Sequence, residues 1–222
     1  MRIEIKGIKK SYRSKEVLKD ITFTAEGGKC VGILGGNGCG KSTLLSILAG
    51  IQSADAGTFE YEGKDLFDYP KQRAQLVGYV PQGTPLIEEL NAKDNLSLWY
   101  SKEEMNQQLS GGVLDMLGIN DFLKTPVSKM SGGMKKRLSI GCAISKRPPI
   151  LLLDEPMAAL DIVCKQKIFE YVSRHKKAGG IVLLSTHDML ELNLCDECYI
   201  IKNGTLVPYH YDGNIEHLVK SM

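Results

Sequence analysis

The chain has 222 residues, with 28 Lys+Arg against 26 Asp+Glu and a net charge of +2. Hydrophobic residues make up 43% and charged residues 24%, the proportions of an ordinary globular protein, so disordered, collagen-like and mucin-like classes are excluded. A chain this long buries a core without disulfide or metal staples, and the balanced charge excludes a broad nucleic-acid footprint.

From the start, Met1 to Lys6 alternates apolar and charged residues and lacks the apolar stretch of a secretory leader. No later run reaches the ~20 apolar residues of a membrane helix. The chain is therefore expected to be soluble and to stay inside the cell. Ile3–Ile5 and Val17–Thr24 alternate as strands, and Gly27-Gly28 breaks the second. Lys29–Leu34 is a short apolar run typical of a buried strand. A glycine-rich loop follows, then a helix over Ser42–Ala49 stopped by Gly50. Gly57–Gly63 reads as strand and turn, and Leu76–Val80 as a strand ended by Pro81-Gln82.

From about Glu88 helical spacing takes over, so residues 83–145 are expected to form a helical insertion. Strand character returns at Ile150–Leu153, a helix covers about Asp161–Lys177, and Ile181–Ser185 is another strand. Asn203-Gly204 predicts a primed turn between strands 198–202 and 205–207, and the tail from Asn214 reads as a short helix. Apolar strands alternating with helices imply an α/β fold with a parallel sheet buried on both faces, extended by antiparallel strands. The cysteines (30, 39, 142, 164, 195 and 198) are scattered. Cys195 and Cys198 form a C-x-x-C without the second pair or histidines a zinc site needs, so reduced thiols partly in the core are expected.

Gly35-Gly36-Asn37-Gly38-Cys39-Gly40-Lys41-Ser42 fits G-x-x-x-x-G-K-[ST], placed between a strand and a helix as the motif requires. Glycines let backbone N–H groups converge on phosphate oxygens, and the helix that follows, with Thr43 in its first turn, turns its positive end to them. Lys41 supplies a point charge for β- and γ-phosphates, and Ser42 a hydroxyl for Mg²⁺. The motif alone indicates a phosphate loop (P-loop) for a nucleoside triphosphate, not which protein family carries it. Pro149 to Pro156 is an apolar strand ending in Asp154 and Glu155. Ligands bind at the carboxyl ends of parallel strands, which suits Asp154 to a metal ion. Strand neighbours face opposite ways, so Glu155 is expected to point elsewhere and to orient or deprotonate the attacking water.

These residues resemble the ATP-binding cassette ATPases over essentially the whole chain. Met130-Ser131-Gly132-Gly133-Met134 looks like the signature loop of that family, ahead of the acidic strand. Gln82 resembles the Q-loop glutamine, which serves both metal and catalysis, and Ala158-Ala159-Leu160-Asp161 the D-loop. His187 resembles the switch histidine, and Tyr12 the aromatic that stacks on adenine. Leu109-Ser110-Gly111-Gly112-Val113 also spells a signature-like string, but only a short apolar run follows before Gly118. An N–H donor loop wants a sustained helix behind it, which favours Ser131. Two departures from the common pattern are Met134 in place of Gln and Ala158 in place of Ser.

The resemblance implies one cassette over 1–222, with the helical subdomain inserted in a RecA-like core behind an N-terminal antiparallel β subdomain. It implies ATP and Mg²⁺ as ligands and two cassettes meeting head to tail, each ATP held by the phosphate loop of one and the signature loop of the other. Glu155, His187, Lys41 and Gln82 would be catalytic. The membrane domain would be a separate subunit, leaving this chain in the cytoplasm at the inner face of the membrane. Leu86, Ile87, Leu96, Leu98 and Trp99 are candidates for its docking groove, and no nucleic acid is expected. The run Asn91–Leu96 and the signature stretch resemble exporters more than importers. The alternative is a soluble cassette acting on ribosomes, nucleic acid or metal-cluster assembly. Against it, the chain holds one cassette and no long heptad insertion.

Overall fold

The computed structural model describes residues 1–158, 160–186 and 188–221. β1 (Arg2–Tyr12) and β2 (Lys15–Glu26) form a long antiparallel hairpin whose buried residues include Ile3, Ile5, Leu18, Ile21 and Phe23. The alternating pattern ends β1 at Ile5. The strand instead continues through irregular register around Gly7, where φ is 60°, as far as Tyr12. β3 (Cys30–Leu34) is buried throughout and leads through the glycine-rich loop into α1 (Lys41–Ala49). β4 (Ala56–Tyr61) and β5 (Lys64–Asp65) make a small hairpin. α2 (Pro70–Leu76) then runs directly into β6 (Val77–Val80). Sequence reading passes over α2 because none of its residues is buried, so it shows no apolar stripe.

The next stretch is helical. α3 (Ala92–Ser97) is capped by Asn91, and α4 (Lys102–Leu109) by a reciprocal pair of bonds between Ser101 and Glu104. α5 (Val113–Met116) is a single turn, and α6 (Gly132–Ala143) is capped by Ser131. β7 (Ile150–Asp154), α7 (Ile162–Lys177), β8 (Ile181–Ser185) and α8 (Met189–Leu192) follow. β9 (Glu197–Lys202) and β10 (Thr205–Tyr209) close a hairpin on Asn203 (φ 53°) and Gly204 (φ 82°), the left-handed pair a primed turn needs. α9 (Ile215–Ser221) ends the fold.

One sheet of ten strands runs in the order β5-β4-β1-β2-β10-β9-β3-β8-β7-β6. The neighbours from β9 to β6 are all parallel, whereas β5, β4, β1 and β2 pair antiparallel. The two parts join where β10 lies parallel to β2, with Thr205 opposite Asp20. The central strands read as unbroken apolar runs because both faces are covered. Leu151 and Leu153 face the helical insertion, while Ile150 and Leu152 face α1 and the antiparallel strands. All six cysteines are free thiols, with Cys30, Cys142, Cys164 and Cys198 buried. Among the described residues no helix is long and apolar enough to cross a membrane.

Candidate functional site

β3, β6, β7 and β8 end at one edge of the sheet, so the segments that follow them are gathered there. After β3 the loop turns into α1 at Gly40, where φ is 118° and an added Cβ would lie 2.7 Å from Leu18 Cδ2. The hairpin of β1 and β2 thus closes against this loop, and only glycine fits. A Cβ on Gly36 or Gly38 would meet nothing within 4 Å, which leaves that face of the loop open. Gly35 is buried, Gly36, Asn37, Gly38 and Ser42 are exposed, and Cys39 and Thr43 are half-buried. Lys41 is only 6% exposed, and its Nζ donates to the carbonyls of Gly35 (2.8 Å) and Gly36 (3.3 Å). The first turn of α1 carries no acidic residue, so its positive end is uncompensated.

Asp154 closes β7 and is buried, with the Ser185 hydroxyl donating to its Oδ1. The Glu155 N–H is shared between the Ser185 carbonyl (3.1 Å) and hydroxyl (3.2 Å). Strand alternation was the expected reason for Glu155 to diverge from Asp154, and the structure corrects it. β7 stops at Asp154, and Glu155 turns away through a left-handed backbone (φ 47°) that non-glycine residues rarely adopt. There its Oε2 accepts from Gln82 Nε2 at 3.0 Å.

A second cluster lies at the start of α6. Ser131 Oγ accepts from the Met134 N–H at 3.2 Å. A Cβ on Gly133 would fall 2.5 Å from Cys164 Sγ and 3.5 Å from Asp161 Oδ2. Asp161 caps α7, and the bond from the Cys164 N–H holds its carboxyl below the usual range. The structure thus brings Ser131, Gly132, Gly133 and Asp161 together. Among the described residues no hydrogen bond joins 131–133 to 35–43. The competing string at Ser110 is followed by the four-residue α5, against twelve residues in α6.

Tyr12 ends β1, 44% exposed, with its hydroxyl on Gln52 and Lys10 Nζ 5.6 Å from its ring centroid. Among the described residues it makes no hydrogen bond to the loop at 35–43. His187 and Ala159 lie outside the described residues. Leu96 is fully buried against α6, so it belongs to the core and not to a docking groove. Leu86 is half-buried, whereas Ile87, Leu98 and Trp99 are exposed.

Three site-lining residues escape sequence reading. Ser185 carries the best signal, a polar residue at the end of an apolar strand. Lys136 on α6 is 4% exposed and donates to the carbonyls of Pro81 (2.8 Å) and Gln82 (2.9 Å). Glu191 is 1% exposed, and its Oε1 accepts from the Met157 N–H at 2.7 Å. Burial pushes the Glu191 carboxyl up to about 7, against the opposing pull of Thr186 and Met157.

Residues 18–158 match the family described as ABC transporter. A probable ABC transporter ATP-binding protein of Azorhizobium caulinodans is 35% identical over 97% of this chain and 78% of its own length. The linearmycin resistance ATP-binding protein LnrL of Bacillus subtilis is 32% identical over 92% of this chain and 68% of its own. The spermidine/putrescine import ATP-binding protein PotA of Bacteroides fragilis is 34% identical over 92% of this chain and 45% of its own. A solved ATP-binding cassette, a dimer in a post-hydrolysis state bound to ADP and Pi, superposes with a TM-score of 0.81. It is 27% identical, over 92% of this chain and 96% of that one.

Proposed function

The chain belongs to the ABC transporter family of ATP-hydrolysing subunits, and from that premise we propose that it drives a membrane exporter by closing on ATP as a pair of cassettes. One observation carries this reading. The donor loop at Ser131–Gly133 sits with Asp161 at a capped helix N-terminus, and among the described residues it makes no hydrogen bond to the phosphate loop of its own chain. Such an anion receptor gains a use when a second cassette, identical or not, presents its bound nucleotide to it.

In each half, the N–H groups of residues 35–43 and Lys41 hold the phosphates, and Tyr12 stacks on the base. Ser42, Asp154 and the Gln82 side-chain oxygen form an oxygen-only donor set that fits Mg²⁺, whose charge offsets that of the phosphates. The bond from Gln82 Nε2 to Glu155 leaves the amide oxygen for that duty. Glu155 takes a proton from the attacking water at its carboxylate, and His187 contacts the γ-phosphate. A separate membrane subunit docks on the helical insertion at Ile87, Leu98 and Trp99 and holds this chain at the cytoplasmic face. The resemblance of the run Asn91–Leu96 and of the signature stretch to exporters supports export over import.

The test is Ser131→Glu, which puts a negative charge where the opposing phosphate would sit. The variant is expected to bind ATP as the parent does, but to stay monomeric in light scattering with ATP and to lose turnover. Full turnover by a monomeric Ser131→Glu chain would end this reading.

A further inference from the structure

Lys136 is a cation with almost no access to water, and its position has a structural reason. β6 ends at Val80, so the carbonyls of Pro81 and Gln82 lie beyond the sheet ladder. The ammonium of Lys136 reaches from the second turn of α6 to donate to both, across more than fifty residues of sequence. Gln82 in turn donates its side-chain amide to Glu155. Two hydrogen bonds, joined through the backbone and side chain of Gln82, therefore link α6 to the carboxylate after β7. Burial lowers the Lys136 pKa, and the charges of Asp154, Glu191 and Glu155 oppose that shift.

We propose that Lys136 is a positioning residue for ATP hydrolysis: it pins the backbone at Gln82 so that the Gln82 amide holds Glu155 in place, and it ties that contact to the helix capped by Ser131. This rests on the reading of Glu155 as the base. Without the ammonium the two carbonyls lose their partner and the loop at 81–82 loses its anchor. Gln82 would then sample other positions, and Glu155 with it. Nucleotide binding through the phosphate loop, read without added Mg²⁺, would be spared.

The full-length chain tests this with Lys136→Met, which keeps the stem and removes the donors, Lys136→Arg, which restores donors, and Gln82→Ala. Lys136→Met is expected to lower kcat about 10- to 100-fold, as small misplacements of catalytic groups do, while affinity for a fluorescent ATP analogue, without added Mg²⁺, stays at the parent value. Lys136→Arg is expected to recover most of the loss. In a Gln82→Ala background, Lys136→Met is expected to cost nothing further, because both act through one contact. Parent kcat in Lys136→Met, a loss confined to KM, or full additivity with Gln82→Ala would each overturn the proposal. Should Lys136→Met not fold, Lys136→Gln is measured in its place, and parent kcat there overturns it equally. Glu155→Gln separates the two readings. If it hydrolyses normally, the base assignment fails, while the cycle between Lys136 and Gln82 still reports whether those two act together.

Discussion

Gln82 and Glu155 are 73 residues apart in sequence, yet the amide of one donates to the carboxylate of the other at 3.0 Å. The glutamine follows β6 and the glutamate follows β7, two parallel neighbours that end side by side. The pairing orients the carboxylate through a neutral partner. Glu155→Gln is therefore expected to retain ATP binding and lose at least ~10² in turnover, the scale of general-base catalysis. Stopped-flow binding with phosphate release reads both quantities.

Gly133 meets Cys164 too closely for any side chain, since a Cβ would lie 2.5 Å from its sulfur. Gly133→Ala is expected to destabilise by about 1–3 kcal/mol, the usual cost of overpacking a tight contact. Removing the sulfur by Cys164→Ala leaves the Cβ of residue 164 as the nearest atom, at 3.3 Å. The double variant should recover most of the loss in urea melts. Equal stability of the single variant and the parent would show that α6 and α7 separate easily.

Glu191 gives stability a pH dependence. Its folded carboxyl is pushed by burial up to about 7, above the ordinary 4.5. A raised acid contributes stability fully below pH 4.5, and that contribution is lost as pH rises through about 7. The groups facing it are Thr186, the Met157 N–H, Asp188 and Lys165, with Lys136 nearby. Glu191→Gln cannot titrate. Relative to the parent it should gain about 3 kcal/mol between those two pH limits. Denaturant melts at pH 5 and pH 8 measure the difference, and parallel curves at both would contradict it.

Leu98 and Trp99 are 59% and 56% exposed, so replacing them removes little packing. Leu98→Ser with Trp99→Ala is expected to leave stability within about 0.5 kcal/mol and basal hydrolysis unchanged. If this face meets the membrane subunit, the same change abolishes co-purification with it from detergent. A large drop in melting temperature would instead make these residues part of the core.

Much of this site is visible in the sequence because its main motifs are local. The run from Gly35 to Ser42 carries strand, loop and helix in one stretch, and residues 150–155 announce a buried strand with acids at its end. Ser131 is separable from Ser110 because the length of the helix behind each can be read directly. What escapes is long-range. Lys136 looks like one more cation in a basic run, and nothing near it in sequence marks Pro81 and Gln82 as its acceptors. Ser185 meets Asp154 only because β7 and β8 align in register. The left-handed turn at Glu155 is invisible as well, since glutamate gives no sign of it. α2 is missed because none of its residues is fully buried, so it carries no periodic apolar signal.

The junction at Thr205 and Asp20 has a mechanical consequence. Among the described residues it is the one register pair between β10 and β2, supplemented by bonds from the Lys19 and Asp20 N–H groups to the Gly204 carbonyl. Tyr12 belongs to the plate on one side of this weld, and the loop after β3 to the plate on the other, the two also packed together where Gly40 meets Leu18. A nucleotide resting its base on the first and its phosphates on the second would act as a rivet across the weld. Amide exchange along β2 and β10 would slow on ATP binding even where no residue touches the nucleotide.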